Sequence, residues 1–210
     1  MKIVVFGATG GIGRQVVAQL LAGGHDVTAV VRGTAKREFG RGPRIATADL
    51  NDPDALVQIL RGKDAVLSGI GPRSLKDGPV ASTSTKSILA AMTRAGVRRL
   101  VTVSAAPVGE LPPDEGLFGR LILYPLARTI LRPVFADLAA MEEAMWTSGL
   151  EVTAVRPPRL TQGPLTRRYR RRVGGSVPRG VLISRADTAD AIVTALTDAT
   201  TFGQPLGVAN

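Results

Sequence analysis

Apolar positions along the chain fall into short unbroken runs, and stretches with apolar residues at helical spacing separate them. The first run, Ile3-Val4-Val5-Phe6, has the length of a strand and meets the glycine-rich turn Gly7-Ala8-Thr9-Gly10-Gly11-Ile12-Gly13. Beyond the turn, Val16, Val17, Leu20 and Leu21 recur at helical spacing, and Gly23-Gly24 ends that helix. Further strands are predicted at Asp26–Val31, Arg44–Ala48, Asp64–Ser68, Arg99–Val103 and Glu151–Val155. The intervening stretches are helical. Asp52 caps a helix that has Pro53 at its first position, a second helix runs from about Val80 to Ala95, and a third from Asp137 to Thr147. The apolar face of the third is read as Leu138, Met141, Met145 and Trp146, and a last helix starts at Ser184 or Asp187 and runs to about Leu196. Strand and helix alternating in this way predict an α/β fold: a doubly wound parallel sheet of Rossmann type in a single domain of residues 1–210.

Two stretches depart from the alternation. From about 107 to 135 the chain carries Pro112-Pro113 and an apolar segment, Leu117 to Leu131, interrupted by Arg120, Arg128 and Arg132 and broken at Pro125. One or two short helices over the sheet edge are expected there, serving as a lid, a dimer surface or a membrane-surface contact. From about 157 onward, Pro157-Pro158 fixes a rigid exit from the sixth strand. The arginine-rich run around Tyr169 is read as one arm of a hairpin that closes at Gly174-Gly175 and returns through Val181-Leu182-Ile183.

Composition narrows the chemistry. There is no cysteine, which excludes a disulfide framework and thiolate catalysis, and a single histidine, His25, argues against a histidine-based metal site. No metal is expected. Hydrophobic content of 44% and charged content of 21% are those of an ordinary globule. No uncharged run reaches the roughly 18 residues of a membrane span, and no secretory leader is visible, so the expected compartment is the cytoplasm. The net charge of +10 raises nucleic acid as a partner. Aromatic residues make up only 4%, too few for base-stacking platforms, so the basic surface points instead to phosphorylated cofactors and anionic small molecules.

The opening turn carries the clearest chemistry. A glycine turn between a strand and a helix presents backbone N–H groups and the positive end of the helix dipole to an anion, here the pyrophosphate of a dinucleotide. Gly7 permits the tight turn, Gly10 allows close backbone approach, and Gly13 lets helix and strand pack together. At the end of the second strand, where an acidic residue would hold a ribose 2′-hydroxyl, stands Arg32, followed by Lys36 and Arg37. A guanidinium there suits a 2′-phosphate, so NADP is expected over NAD. Gly69 and Gly71 keep the path along the sheet clear for the rest of the cofactor.

The Gly-x-x-Gly-x-x-Gly spacing resembles that of the extended and atypical branches of the short-chain dehydrogenase/reductase superfamily. The familiar reductases of that superfamily use a serine with Tyr-x-x-x-Lys. Ser104 stands where the serine belongs, but the nearest approach to the second motif is Tyr124-Pro125-Leu126-Ala127-Arg128. Six segments, Gly7-Ala8-Thr9-Gly10, Val30-Val31-Arg32, Thr102-Val103-Ser104-Ala105, Val155 to Arg159, Gly163 to Thr166, and Ile183 to Asp187, resemble the biliverdin-IXβ reductase/flavin reductase family. That family is an atypical, NmrA-like branch without the Tyr/Lys pair. The resemblance implies hydride transfer from NADPH to a flavin or linear tetrapyrrole. It implies that Gly7, Thr9, Gly10, Gly11, Ile12 and Gly13 hold the pyrophosphate, that Arg32 holds the 2′-phosphate, and that Asp49 and Leu50 hold the adenine. It places Ser104 beside the nicotinamide as the catalytic candidate and Pro157 at the cofactor. Arg159 follows the double proline, where a characterised reductase of the family has histidine, and is the candidate substrate ligand. The expected activity is NADPH-dependent reduction of a planar acceptor such as a flavin or quinone. The alternative is a redox sensor of NmrA-like type that binds NADP without turnover.

Overall fold

A computed structural model describes residues 1–31, 39, 42–72, 77–111, 114–117 and 119–210, with the backbone alone for 122–124 and 127–128. Residues 2–6, 26–31, 44–47, 65–68, 99–103 and 151–156 form strands β1 (Lys2–Phe6), β2 (Asp26–Val31), β3 (Arg44–Thr47), β4 (Ala65–Ser68), β5 (Arg99–Val103) and β6 (Glu151–Arg156). They lie side by side and parallel in the order β3-β2-β1-β4-β5-β6. Alternate residues of each strand enter different cores. Ile3, Val5, Leu67, Val101 and Val155 face α1 (Gly11–Ala22) and α6 (Arg185–Ala195). Val4, Phe6, Val66, Leu100 and Val152 face α2 (Pro53–Leu60), α3 (Val80–Ala95) and α5 (Arg132–Trp146). A sheet covered on both faces is apolar at every position, which is why its strands read as unbroken apolar runs.

Local signals placed most boundaries. Asp52 caps α2 by accepting from the backbone of Asp54 and Ala55 at 3.0 and 3.1 Å, with Pro53 at the first position. Ser184 caps α6, accepting from the backbone N–H of Asp187 at 2.9 Å. The cap of α3 comes from far along the chain: the buried Asp137 of α5 accepts from Ala81 and Ser82 at 2.8 and 2.9 Å.

Three expectations are corrected. The hairpin does not form. Residues 170–173 make β8 (Arg170–Val173), which pairs antiparallel with the C-terminal strand β10 (Gln204–Ala209), and β10 lies parallel to β6. Residues 182–184, β9 (Leu182–Ser184), pair instead with β7 (Arg159–Thr161) in a separate parallel pair. A hairpin assumes that neighbours in sequence pair; here the open edge of β6 takes a strand from the chain end. Pro125 does not end the helical run but lies in the first turn of α4 (Tyr124–Ile130), where the helix type changes. A π-helical turn, Gly119–Leu123, precedes it. Third, α5 begins at Arg132 rather than Asp137, and Trp146 is 37% exposed at its end instead of joining the buried face of Leu138, Met141 and Met145.

Candidate functional site

The strand order reverses between β1 and β4, so the connections leaving these two strands run to opposite faces and open a crevice at their carboxyl ends. Gly7 turns the chain out of β1 at φ +67°, a conformation that side chains disfavour. The turn is pressed from two sides: a Cβ on Gly7 would lie 2.7 Å from the carbonyl carbon of Gly69, and one on Gly13 would lie 2.1 Å from the Gly7 carbonyl oxygen. Gly13 therefore belongs to the contact of α1 with the turn and does not border the crevice.

The crevice encloses a cavity of about 810 Å³, toward the upper end of the ~300–1,000 Å³ usual for small-molecule and cofactor sites. Gly7, Thr9, Gly10, Gly11 and Ile12 line one part of it, and Asp49, Leu50, Gly69 and Gly71 line others. The first-turn amides of α1 precede the helical ladder, no side chain caps them, and no acidic residue stands in that turn. A Cβ on Gly71 would meet nothing within 4 Å, so the sheet edge there is open. These features fit a dinucleotide: donors for a pyrophosphate, set in a cavity of cofactor size. Arg32, Lys36 and Arg37, expected at the 2′-phosphate, lie outside the described residues.

Ser104 reaches the same cavity from the end of β5, beside Val103, Val134, Leu138 and Leu160. Its hydroxyl donates to Glu142 Oε1 at 2.6 Å. Glu142, 3% exposed on α5, also accepts from Arg156 Nε at 2.9 Å and from Arg156 Nη2, so the guanidinium at the end of β6 grips the carboxylate at two points. With its proton committed to Glu142, the Ser104 oxygen keeps lone pairs that can accept a hydrogen bond. Glu142 and Arg156 escaped the sequence reading because a glutamate inside a helix and an arginine at a strand end carry no local signal of partnership.

Arg159 and Pro157 are not brought to the cavity. The Arg159 side chain is exposed on β7, and Pro157 uses its carbonyl to accept from Ala106 N at 2.9 Å. The side chains of Tyr124 and Arg128 are outside the described residues. Nor is the basic run an open patch. Arg167 pairs with Asp190 at 3.1 Å, Arg171 with Asp198 at 2.7 Å and Arg172 with Asp114 at 3.2 Å, while Arg170 donates to the carbonyls of Pro178 and Asn210. Tyr169 is half-buried there; burial first, and then its hydrogen bond to Asp190 at 2.7 Å, push its phenol well above the usual range. Buried Asp187 is likewise structural. Burial alone would raise its carboxyl, but N–H groups of Arg167 and Thr166 and the Thr166 hydroxyl, all at 2.7–2.8 Å, hold it below the usual range.

Among the described residues no group of three or more His, Asp or Glu could hold a metal ion, and no helix is long and apolar enough to cross a membrane.

Known proteins share both the sequence pattern and the architecture. A 3-diazoavenalumate denitrifying reductase from Streptomyces is 34% identical over 131 residues, covering 55% of this chain and 42% of the reductase. The curated relatives are longer: the chain spans 36%, 42% and 61% of the length of three of them. Among solved structures, a Burkholderia pseudomallei protein described as exported superposes with a TM-score of 0.83 at 27% identity, covering both chains fully. The anaerobilin reductase ChuY from Escherichia coli O157:H7 superposes at 0.79 over 99% of this chain and 96% of its own, at 21% identity, a likeness of fold. The family model for NAD(P)H-binding proteins matches residues 7–199, from the turn after β1 to beyond α6, and the chain belongs to that NAD(P)H-binding family.

Proposed function

We propose that the protein is an NADPH-dependent reductase that passes hydride to a planar conjugated acceptor, a flavin, quinone or related ring. One observation carries the reading: the glycine turn and Ser104 border one continuous cavity, and neither a tyrosine nor a lysine lines it among the described residues. A dihydronicotinamide supplies hydride when bound. A ketone reduced there would need a proton from a positioned acid at the same moment. A conjugated ring spreads the added electrons and can take its proton from solvent, so the missing phenol is no handicap.

The residues divide the work as follows. The glycine turn and the first turn of α1 bind the pyrophosphate. Asp49 and Leu50, at the end of β3, border the adenosine end. Ser104, held by Glu142, accepts from the carboxamide N–H of the nicotinamide and so orients the ring face. Val134, Leu138 and Leu160 offer the apolar wall on which an acceptor ring stacks, with the segments 107–135 and 157–210 shaping that side. The preference for NADPH rests on Arg32 at the end of β2.

The assay is steady-state NADPH oxidation with FMN, riboflavin and quinones. Turnover is expected, with a loss of about 10-fold, near 1.4 kcal/mol of barrier, in Ser104→Ala and no change in Tyr124→Phe. A dead Tyr124→Phe enzyme beside an intact Ser104→Ala enzyme would overturn the assignment. NADPH binding without turnover on any acceptor would favour the sensor, for which Leu117, Leu121, Leu126 and Ile130, all more than half exposed, offer a contact surface.

A further inference from the structure

Arg185 was not among the candidate residues, yet its side chain borders the cavity at the glycine turn. A Cβ on Gly11 would lie 2.8 Å from Arg185 Cδ, 2.9 Å from Nε and 3.9 Å from Cζ. The arginine stem thus lies over the bare Cα of Gly11, and the missing side chain of Gly11 is the seat it occupies. Gly11 is the first residue of α1 and Arg185 the first of α6. A guanidinium and the positive ends of two helices therefore meet at one point of the cavity wall. Among the described residues nothing neutralises the arginine: it makes no ion pair and no hydrogen bond. Asp187, the acidic residue in the first turn of α6, is committed to Thr166 and Arg167. The other described carboxylates on the cavity wall, Asp49 and Asp77, belong to the loops after β3 and β4.

The arginine rides a fixed support. Ser184 donates to the Pro164 carbonyl at 3.0 Å while capping α6, and Gln19 of α1 donates to the Ala186 carbonyl at 2.9 Å, tying the two helices together one residue beyond Arg185. Clustering of like charge on a rigid frame is unfavourable until an anion enters, and the group that the glycine turn would admit carries two negative charges.

We infer that Arg185 is a pyrophosphate ligand, a cation from the C-terminal half that stands beside the glycine turn and meets the dinucleotide phosphates there. The inference rests on the dinucleotide reading of the cavity and adds a contact that the glycine motif does not contain. Its consequence is that cofactor binding draws on α6 as well as α1. A charge-assisted contact to phosphate accounts for an affinity factor on the order of 10- to 100-fold.

The test is calorimetric titration of wild type, Arg185→Gln and Arg185→Lys with NADPH, NADH and ADP-ribose, alongside the acceptor KM. ADP-ribose keeps the pyrophosphate and lacks the nicotinamide. Arg185→Gln should weaken all three ligands by the same factor, with Arg185→Lys recovering part of the loss. The unliganded melting temperature of Arg185→Gln should not fall, since no described ion pair or hydrogen bond is removed and like-charge crowding is relieved. Unchanged ADP-ribose binding with a raised acceptor KM would overturn the inference and assign the arginine to the acceptor. A loss for NADPH but not for NADH would overturn it in favour of the 2′-phosphate. Wild-type protein that binds none of the three ligands would instead refute the dinucleotide reading on which the inference rests.

Discussion

Replacing Glu142 by leucine removes the only described carboxylate that meets Arg156 and the acceptor for the Ser104 proton. The Arg156 side chain is 11% exposed and that of Glu142 3%, so solvent cannot take over either role. Breaking a buried pair by removing one partner leaves an uncompensated charge and costs about 3–5 kcal/mol. The orphaned Ser104 hydroxyl adds about 1 kcal/mol or more. Against a domain stability of about 5–15 kcal/mol, the single change consumes a large share. The double replacement Glu142→Leu/Arg156→Leu removes both charges, and should lie within about 2 kcal/mol of wild type because apolar pairs commonly replace buried ion pairs at little cost. Urea unfolding followed by the fluorescence of Trp146, on the same helix as Glu142, measures all three variants and closes the cycle with Arg156→Leu. A cost below about 1 kcal/mol for Glu142→Leu, or a double variant as unstable as the two single changes summed, would refute the argument that desolvated charge is what the pair protects against.

Arg32→Ala should weaken NADPH binding by about 1.5–3 kcal/mol and leave NADH unaffected; equal wild-type affinity for the two nucleotides in titration would remove the 2′-phosphate assignment. Gly10→Val and Gly13→Ala should separate binding from folding. A Cβ at Gly10 would lie 3.2 Å from the Gly7 carbonyl oxygen, which asks the turn to give by only a few tenths of an ångström, and its φ of −73° suits any residue, so a folded protein without NADPH affinity is expected by circular dichroism and titration. At Gly13 the backbone itself is in the way, at 2.1 Å from Gly7 O, so the melting temperature should fall. Asp187 and Asp198 both have carboxyls held below the usual 3.8, Asp198 chiefly through the Thr200 hydroxyl and Arg171. The unfolded chain then binds more protons than the folded one below about pH 4, so this contribution is complete above that value and lost as pH falls through the lowered folded values. Asp187→Asn should make the acid limb of the stability profile shallower without altering its slope between pH 5 and 8.

The parts legible in the sequence are those governed by neighbours in the chain. Ile3 to Phe6 reads as a strand because both faces of a parallel sheet are covered, so every position is apolar. The turn from Gly7 to Gly13 reads as an anion cradle because its glycine spacing between a strand and a helix is itself the local signal, and the close contacts of Gly10 and Gly13 with Gly7 lie within that unit. Asp52 before Pro53, and Ser184 before α6, announce helix starts through hydrogen bonds that span three residues. From these the doubly wound order and the position of the crevice follow, and Gly7, Gly10, Gly69, Asp49 and Ser104, each singled out from the sequence as a cofactor candidate, line one cavity in the fold. Where the decisive contact joins distant segments, the pattern was silent or misleading. The arginine strand β8 found its partner in β10 because the exposed edge of β6 needed covering, a requirement that no local turn signal expresses. Glu142 and Arg156 look like ordinary surface charges until α5 and β6 press them together out of water, and only then does each need the other. Arg185 stands at a helix start that the sequence announces, but nothing marks its own side chain until α6 packs against α1 and lays it over Gly11. Pairing energies between polar groups depend on burial and distance, and both are properties of the folded arrangement.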